Sequence, residues 1–149
     1  MLFARSLPSL LLAVTLASSA GCRQFTDNEI RRERQPGLIQ FYHDPPVVQI
    51  PETVAVASPF EVTVRTYGGG CIDQGDTEVS VAGDAATVRP YDIFVTHLPP
   101  NYTCTDDLRL YTHRALIRFE HSGSATVTVE GRARPGDSTI AVQRSVHVR

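Results

Sequence analysis

A strict two-residue alternation, recurring from Phe60 to the last residues, constrains this chain more than any other feature. In Phe60-Glu61-Val62-Thr63-Val64-Arg65-Thr66-Tyr67, apolar Phe60, Val62 and Val64 share one parity, and Glu61, Thr63 and Arg65 take the other. Successive side chains of a strand point to opposite faces, so the pattern buries one face and wets the other. Ala115, Ile117 and Phe119 alternate with Leu116, Arg118 and Glu120, and Val127 and Val129 stand between Thr126, Thr128 and Glu130. Ile140, Val142, Val146 and Val148 also share a parity. Arg144 interrupts that row, which predicts either a bulge or an arginine reaching the rim. Weaker runs predict strands at 47–50, 53–57, 77–81, 86–91 and 93–97. No segment beyond Pro36 sustains a helical period.

Turn-forming residues separate these runs: Ala57-Ser58-Pro59, Gly68-Gly69-Gly70, Gly83-Asp84, Pro99-Pro100-Asn101, His121-Ser122-Gly123-Ser124 and Arg134-Pro135-Gly136-Asp137. Short amphipathic strands punctuated in this way predict an all-β fold. The pattern from 38 to 149 resembles an immunoglobulin-like antiparallel β-sandwich of about seven to nine strands. The Pro-rich approach to Val47 is similar to the opening of bacterial modules of that kind. The resemblance rests on pattern, because the Cys-Trp-Cys signature of antibody domains is missing and the chain has no tryptophan.

The first residues carry a different signal. Arg5 precedes an apolar run through Leu7, Leu10, Leu11, Leu12, Val14 and Leu16, and small residues lead to Ala20-Gly21-Cys22. A transmembrane helix needs about 20 predominantly apolar residues, more than this stretch offers. Cys22 directly after Ala-Gly resembles the lipobox of bacterial lipoproteins, with Ser19 where that family prefers Leu. The resemblance implies cleavage before Cys22, acylation of its thiol, and anchoring of the protein to a cell-envelope membrane. Arg23, in place of an Asp after the cysteine, points to the outer membrane rather than the inner one. The expected organisation is therefore a leader at 1–21, a polar tether at 22–37 and one β domain at 38–149. The tether reading rests on the charged run Glu29-Ile30-Arg31-Arg32-Glu33-Arg34 and its Pro36-Gly37 stop.

Removing the leader leaves about 128 residues, the size of a single domain. All basic residues are arginine, and with 14 of them against 16 acidic residues the chain shows no sign of a nucleic-acid binder. Acylation of Cys22 would leave Cys71 and Cys104, an even pair in an oxidising compartment and so an expected disulfide. It would close a loop of 33 residues, a constraint of about 3–4 kcal/mol in the chain-entropy model.

That bridge would draw Asp73, Asp76, Asp106 and Asp107 to one pole. Four carboxylates could hold Ca²⁺, although their spacing fits no calcium loop and aspartates commonly cap turns. His43, His97, His113, His121 and His147 contain no zinc-type spacing; His97 and His113 flank the Cys104 loop. There is no GxSxG, HExxH or phosphate-cradling glycine loop, so neither an enzyme nor a cofactor is expected. Tyr91, Tyr102 and Tyr111 suggest an aromatic patch around the long loop. The leading expectation is a non-catalytic binding or structural module that meets another envelope protein through Tyr102, Asp106, Asp107 and Arg109. The alternative is a binder of a metal ion or small solute at the same pole.

Overall fold

The computed structural model describes residues 28–149; the leader, Cys22 and the tether residues 22–27 lie outside them. The described fold is all-β, a curled, mixed sheet of ten strands. The strands are β1 (Arg31–Pro36), β2 (Leu38–Phe41), β3 (Val48–Gln49), β4 (Thr53–Val54), β5 (Phe60–Gly68), β6 (Ile72–Ala82), β7 (Ala85–His97), β8 (Arg109–Ile117), β9 (Gly123–Arg134) and β10 (Ser138–Val148).

The alternating rows form the core as expected. Val62, Val64, Val88, Ile117, Val127, Val129, Val146 and Val148 are almost wholly buried, with Phe60 and Phe119 in ring contact at 5.8 Å. β10 pairs with β9 without a register shift through Arg144↔Val127. Of the two outcomes predicted at Arg144, the bulge therefore does not occur. Its exposed guanidinium donates to the Gln143 carbonyl at 2.9 Å.

Two of the expected short runs merge. The 86–91 and 93–97 segments are one long strand, β7, whose inward row Ala86, Val88, Pro90, Asp92, Phe94 continues unbroken. One edge of β7 pairs with β6. The other pairs first with β9, in parallel over Ala85–Val88, and then with β1.

The expectation of a tether through Gly37 fails from Arg31 onward. Residues 31–36 form β1, antiparallel to the end of β7, and 38–41 form β2, parallel to the end of β9. Gly37 is the apex where β7 and β9 part: its N–H donates to Pro90 O and its carbonyl accepts from Arg132 N, each at 2.9 Å. A Cβ there would lie 2.5 Å from Thr66 Cγ2 and 2.8 Å from Asp92 Oδ2, so only glycine passes. β1 lacks the apolar alternation because, among the described residues, it pairs only with β7 and buries almost nothing. Its arginines instead reach across β7 to acids on β6. Arg32 binds Asp73 at 2.9 Å, and Arg34 binds Asp76 and Glu78 at 2.7 Å while lying over the Tyr91 ring.

Among the described residues, β6 and β8 each have one ladder partner. The curl brings these two strands together at one end, where side chains bridge them. Tyr111 donates its hydroxyl to Ile72 O at 2.6 Å and Gln74 Nε2 donates to Thr112 O at 2.8 Å.

Candidate functional site

That bridged end is the disulfide pole. β5 runs into Gly68, and Gly69 and Gly70 turn with φ of 99° and 60°. A side chain at either position would meet the backbone of the Cys104 loop, at Asp107 and Thr105 respectively. These positive φ values and close approaches explain the glycine run. Cys71 follows, its carbonyl accepting from Val95 N at 2.9 Å, and it forms the expected disulfide with Cys104 across a Cα separation of 5.1 Å.

Asp107 supplies a second clip. Its Oδ1 accepts from the Gly70 amide at 2.9 Å and from the Thr105 hydroxyl, and its Oδ2 pairs with Arg109 Nε at 2.5 Å. The Thr105 hydroxyl, the Gly70 amide and Arg109 hold this carboxyl down at about 2. The Cys104 loop is thus pinned at two nearby points, and the residues around them stand outward. Tyr102, Leu108 and Leu110 are 59%, 61% and 49% exposed.

The four candidate aspartates do not converge. Asp73 and Asp76 are taken up by Arg32 and Arg34 of β1, and Arg34 holds the Asp76 carboxyl below its ordinary value. Asp107 is committed to the clip, and Asp106 is exposed beside it. No three His, Cys, Asp or Glu side chains are grouped as metal ligands among the described residues. Of the four residues expected at a contact surface, Tyr102, Asp106 and Arg109 are exposed and Asp107 is half-buried, with Arg109 paired to Asp107 in the clip.

The expected tyrosine patch is dispersed. Tyr91 lies under Arg34 on the outer face of β7, and Tyr111 packs over Gly68 while donating to Ile72 O. Tyr102 remains outward. The two flanking histidines also separate: His97 ends β7, whereas His113 is buried within β8.

His113 belongs to a buried polar cluster that the loop-centred sequence reading missed. Its Nε2 lies 3.0 Å from Asp92 Oδ1 and 3.1 Å from Thr66 Oγ1, and its Nδ1 lies 3.1 Å from Thr77 Oγ1. In the neutral tautomer with Nε2–H donating to Asp92, Nδ1 accepts from the Thr77 hydroxyl. Asp92 and Thr66 are wholly buried and His113 nearly so, which places this Asp–His–Thr arrangement inside the protein. It ties β5, β6, β7 and β8 together beneath the disulfide. Arg132 lies close by, over the Phe94 ring, with burial lowering its pKa. Asp92 Oδ2 and Arg132 Nη2 are buried without a hydrogen-bond partner among the described residues.

At the opposite end, Gly83, Asp84, Phe119, His121, Ser122 and Gly123 line an open depression of about 490 Å³. Its Asp, His and Ser side chains share no hydrogen bond among the described residues, and the His121–Ser122 stretch is a bend leading into β9. No family model matches the chain, and neither a curated protein nor a solved structure does.

Proposed function

We propose that this chain is a non-catalytic module of a bacterial cell envelope, anchored through acylated Cys22, that uses its disulfide pole as a contact surface. On this reading the curled sheet is an immunoglobulin-like sandwich that carries a rigid set of loops at one end. The observation that carries the proposal is the outward presentation of Tyr102 and Leu108 from a loop held by both a disulfide and the Asp107 clip, with exposed Leu110 at the start of β8. Exposed apolar and aromatic side chains grouped on a braced loop mark contact sites in β-sandwiches more often than isolated ones do. The burial of the Asp92–His113–Thr66 cluster favours a structural role for it over chemistry on a substrate. The pairing of Asp73 and Asp76 with arginines favours a contact face over a calcium site.

The test is photo-cross-linking in intact envelopes, with a photoreactive residue placed at Tyr102 or, for comparison, at His121 on the far pole. The reading predicts adducts from the Tyr102 position and few from His121. Adducts from His121 alone would overturn it and move attention to the far depression.

A further inference from the structure

We propose that the surface met by the disulfide pole is the phospholipid bilayer itself, with Tyr102, Leu108 and Leu110 seated in its headgroup region. This rests on the reading that Cys22 is acylated.

Two independent observations converge on it. The first is where the chain enters the fold. β1 begins at Arg31, which pairs with His97 at the end of β7, and Arg32 binds Asp73 two residues after the disulfide cysteine. The entry point therefore lies at the disulfide pole. From Cys22 to Arg31 the backbone spans at most about 30 Å when fully extended. The long axis, set by the 13 residues of β7, is about 40 Å. An acylated Cys22 therefore confines the entry pole to within about 30 Å of the membrane, while the His121 end, about 40 Å further along the sheet, is not confined in this way.

The second observation is what that pole displays. Leu108 stands between the clip residue Asp107 and Arg109 at the start of β8, where it cannot fold back into the core. Tyr102 in the same loop and Leu110 at the start of β8 are also exposed. A phenol ring with two leucines is the combination that suits the apolar–polar boundary of a bilayer. The apolar residues act as a foot, so that the anchor and the pole together hold the sheet upright on the membrane.

The absence of tryptophan from the chain makes the test clean. The full chain is produced in an acylating host as Leu108→Trp, Tyr102→Trp or His121→Trp. Each form is reconstituted into phosphatidylethanolamine–phosphatidylglycerol vesicles, with or without lipids carrying a nitroxide near the headgroup. The proposal predicts blue-shifted emission that the nitroxide quenches for Leu108→Trp and Tyr102→Trp, and unshifted, unquenched emission for His121→Trp. Vesicle-bound protein with equal, unquenched emission from all three overturns the orientation while leaving the anchor intact. Emission of Leu108→Trp that is shielded in native envelopes yet unquenched in pure lipid overturns it in favour of a protein partner. Loss of palmitate labelling at Cys22 with no vesicle binding identifies the anchor reading as the one that failed.

Discussion

Replacing both Cys71 and Cys104 with serine tests how far the pole depends on its covalent staple. The bridge closes a loop of 33 residues, and chain-entropy reasoning assigns that closure about 3.7 kcal/mol at 25 °C. For a domain of this size a loss of 1 kcal/mol lowers Tm by about 3–5 °C, so the variant should melt about 11–18 °C lower. The fold should survive, because the sheet ladders and the buried Asp92–His113 cluster do not include either cysteine. The Asp107 clip also spans the gap, from Asp107 to Gly70. In the bridged protein it forms within an already closed loop; without the bridge it must close the loop alone. Asp107→Ala should therefore cost more when the disulfide is present than when it is absent. Urea unfolding of the four-member cycle, followed by far-ultraviolet circular dichroism, measures both terms. A cysteine-free variant that unfolds at the same urea concentration as the parent would refute the assignment of the bridge as a stabilising staple. Strict additivity with Asp107→Ala would refute the claim that the two clips share one loop.

Three further outcomes follow from the same geometry. His113→Leu strips Asp92 of its hydrogen-bond partner within a buried site, a loss of about 3–5 kcal/mol. Adding Asp92→Val should recover about 2 kcal/mol relative to the sum of the single changes, which chemical denaturation of the double-mutant cycle checks. Gly37→Ala forces a methyl against Thr66 and Asp92 and should destabilise by about 1–3 kcal/mol or more; a Tm equal to the parent's would contradict the apex assignment. The Asp107 carboxyl is held at about 2, so its contribution is complete above the ordinary carboxylate range and is lost as pH falls through about 2. The Gly70 amide proton shift should titrate with that low midpoint, and a midpoint near 4 would show that the clip is not formed in solution.

The sequence made the strands legible wherever one face is apolar and the other polar. Phe60–Tyr67, Ala125–Glu130 and the Ile140–Val148 row all lie on the parity read from them, since burial on one face is what alternation records. β1 was illegible because it lies at an edge and trades charges with β6 across β7; Arg32 and Arg34 there look the same as a solvated spacer. The disulfide followed from cysteine count and compartment, but the pairing of Asp73 and Asp76 with β1 depended on that missed strand. The buried cluster did leave a trace. Thr66, Asp92 and His113 each occupy the inward parity of an otherwise apolar row. Three polar interruptions on three strands are a legible sign of a shared buried network once strand pairing is known. Pairing itself is not written in any one strand's alternation, which is why His113 reads as a loop residue and Asp92 goes unnoticed.

The measurement that bears most directly on the account is mass spectrometry of the mature protein's amino-terminal peptide, taken from purified native envelopes. The account predicts a peptide that begins at Cys22 and carries a diacylglycerol thioether, with the leader gone. A mature start at any other residue, with Cys22 bearing an unmodified thiol, would contradict the anchor and, with it, the orientation of the disulfide pole toward the bilayer.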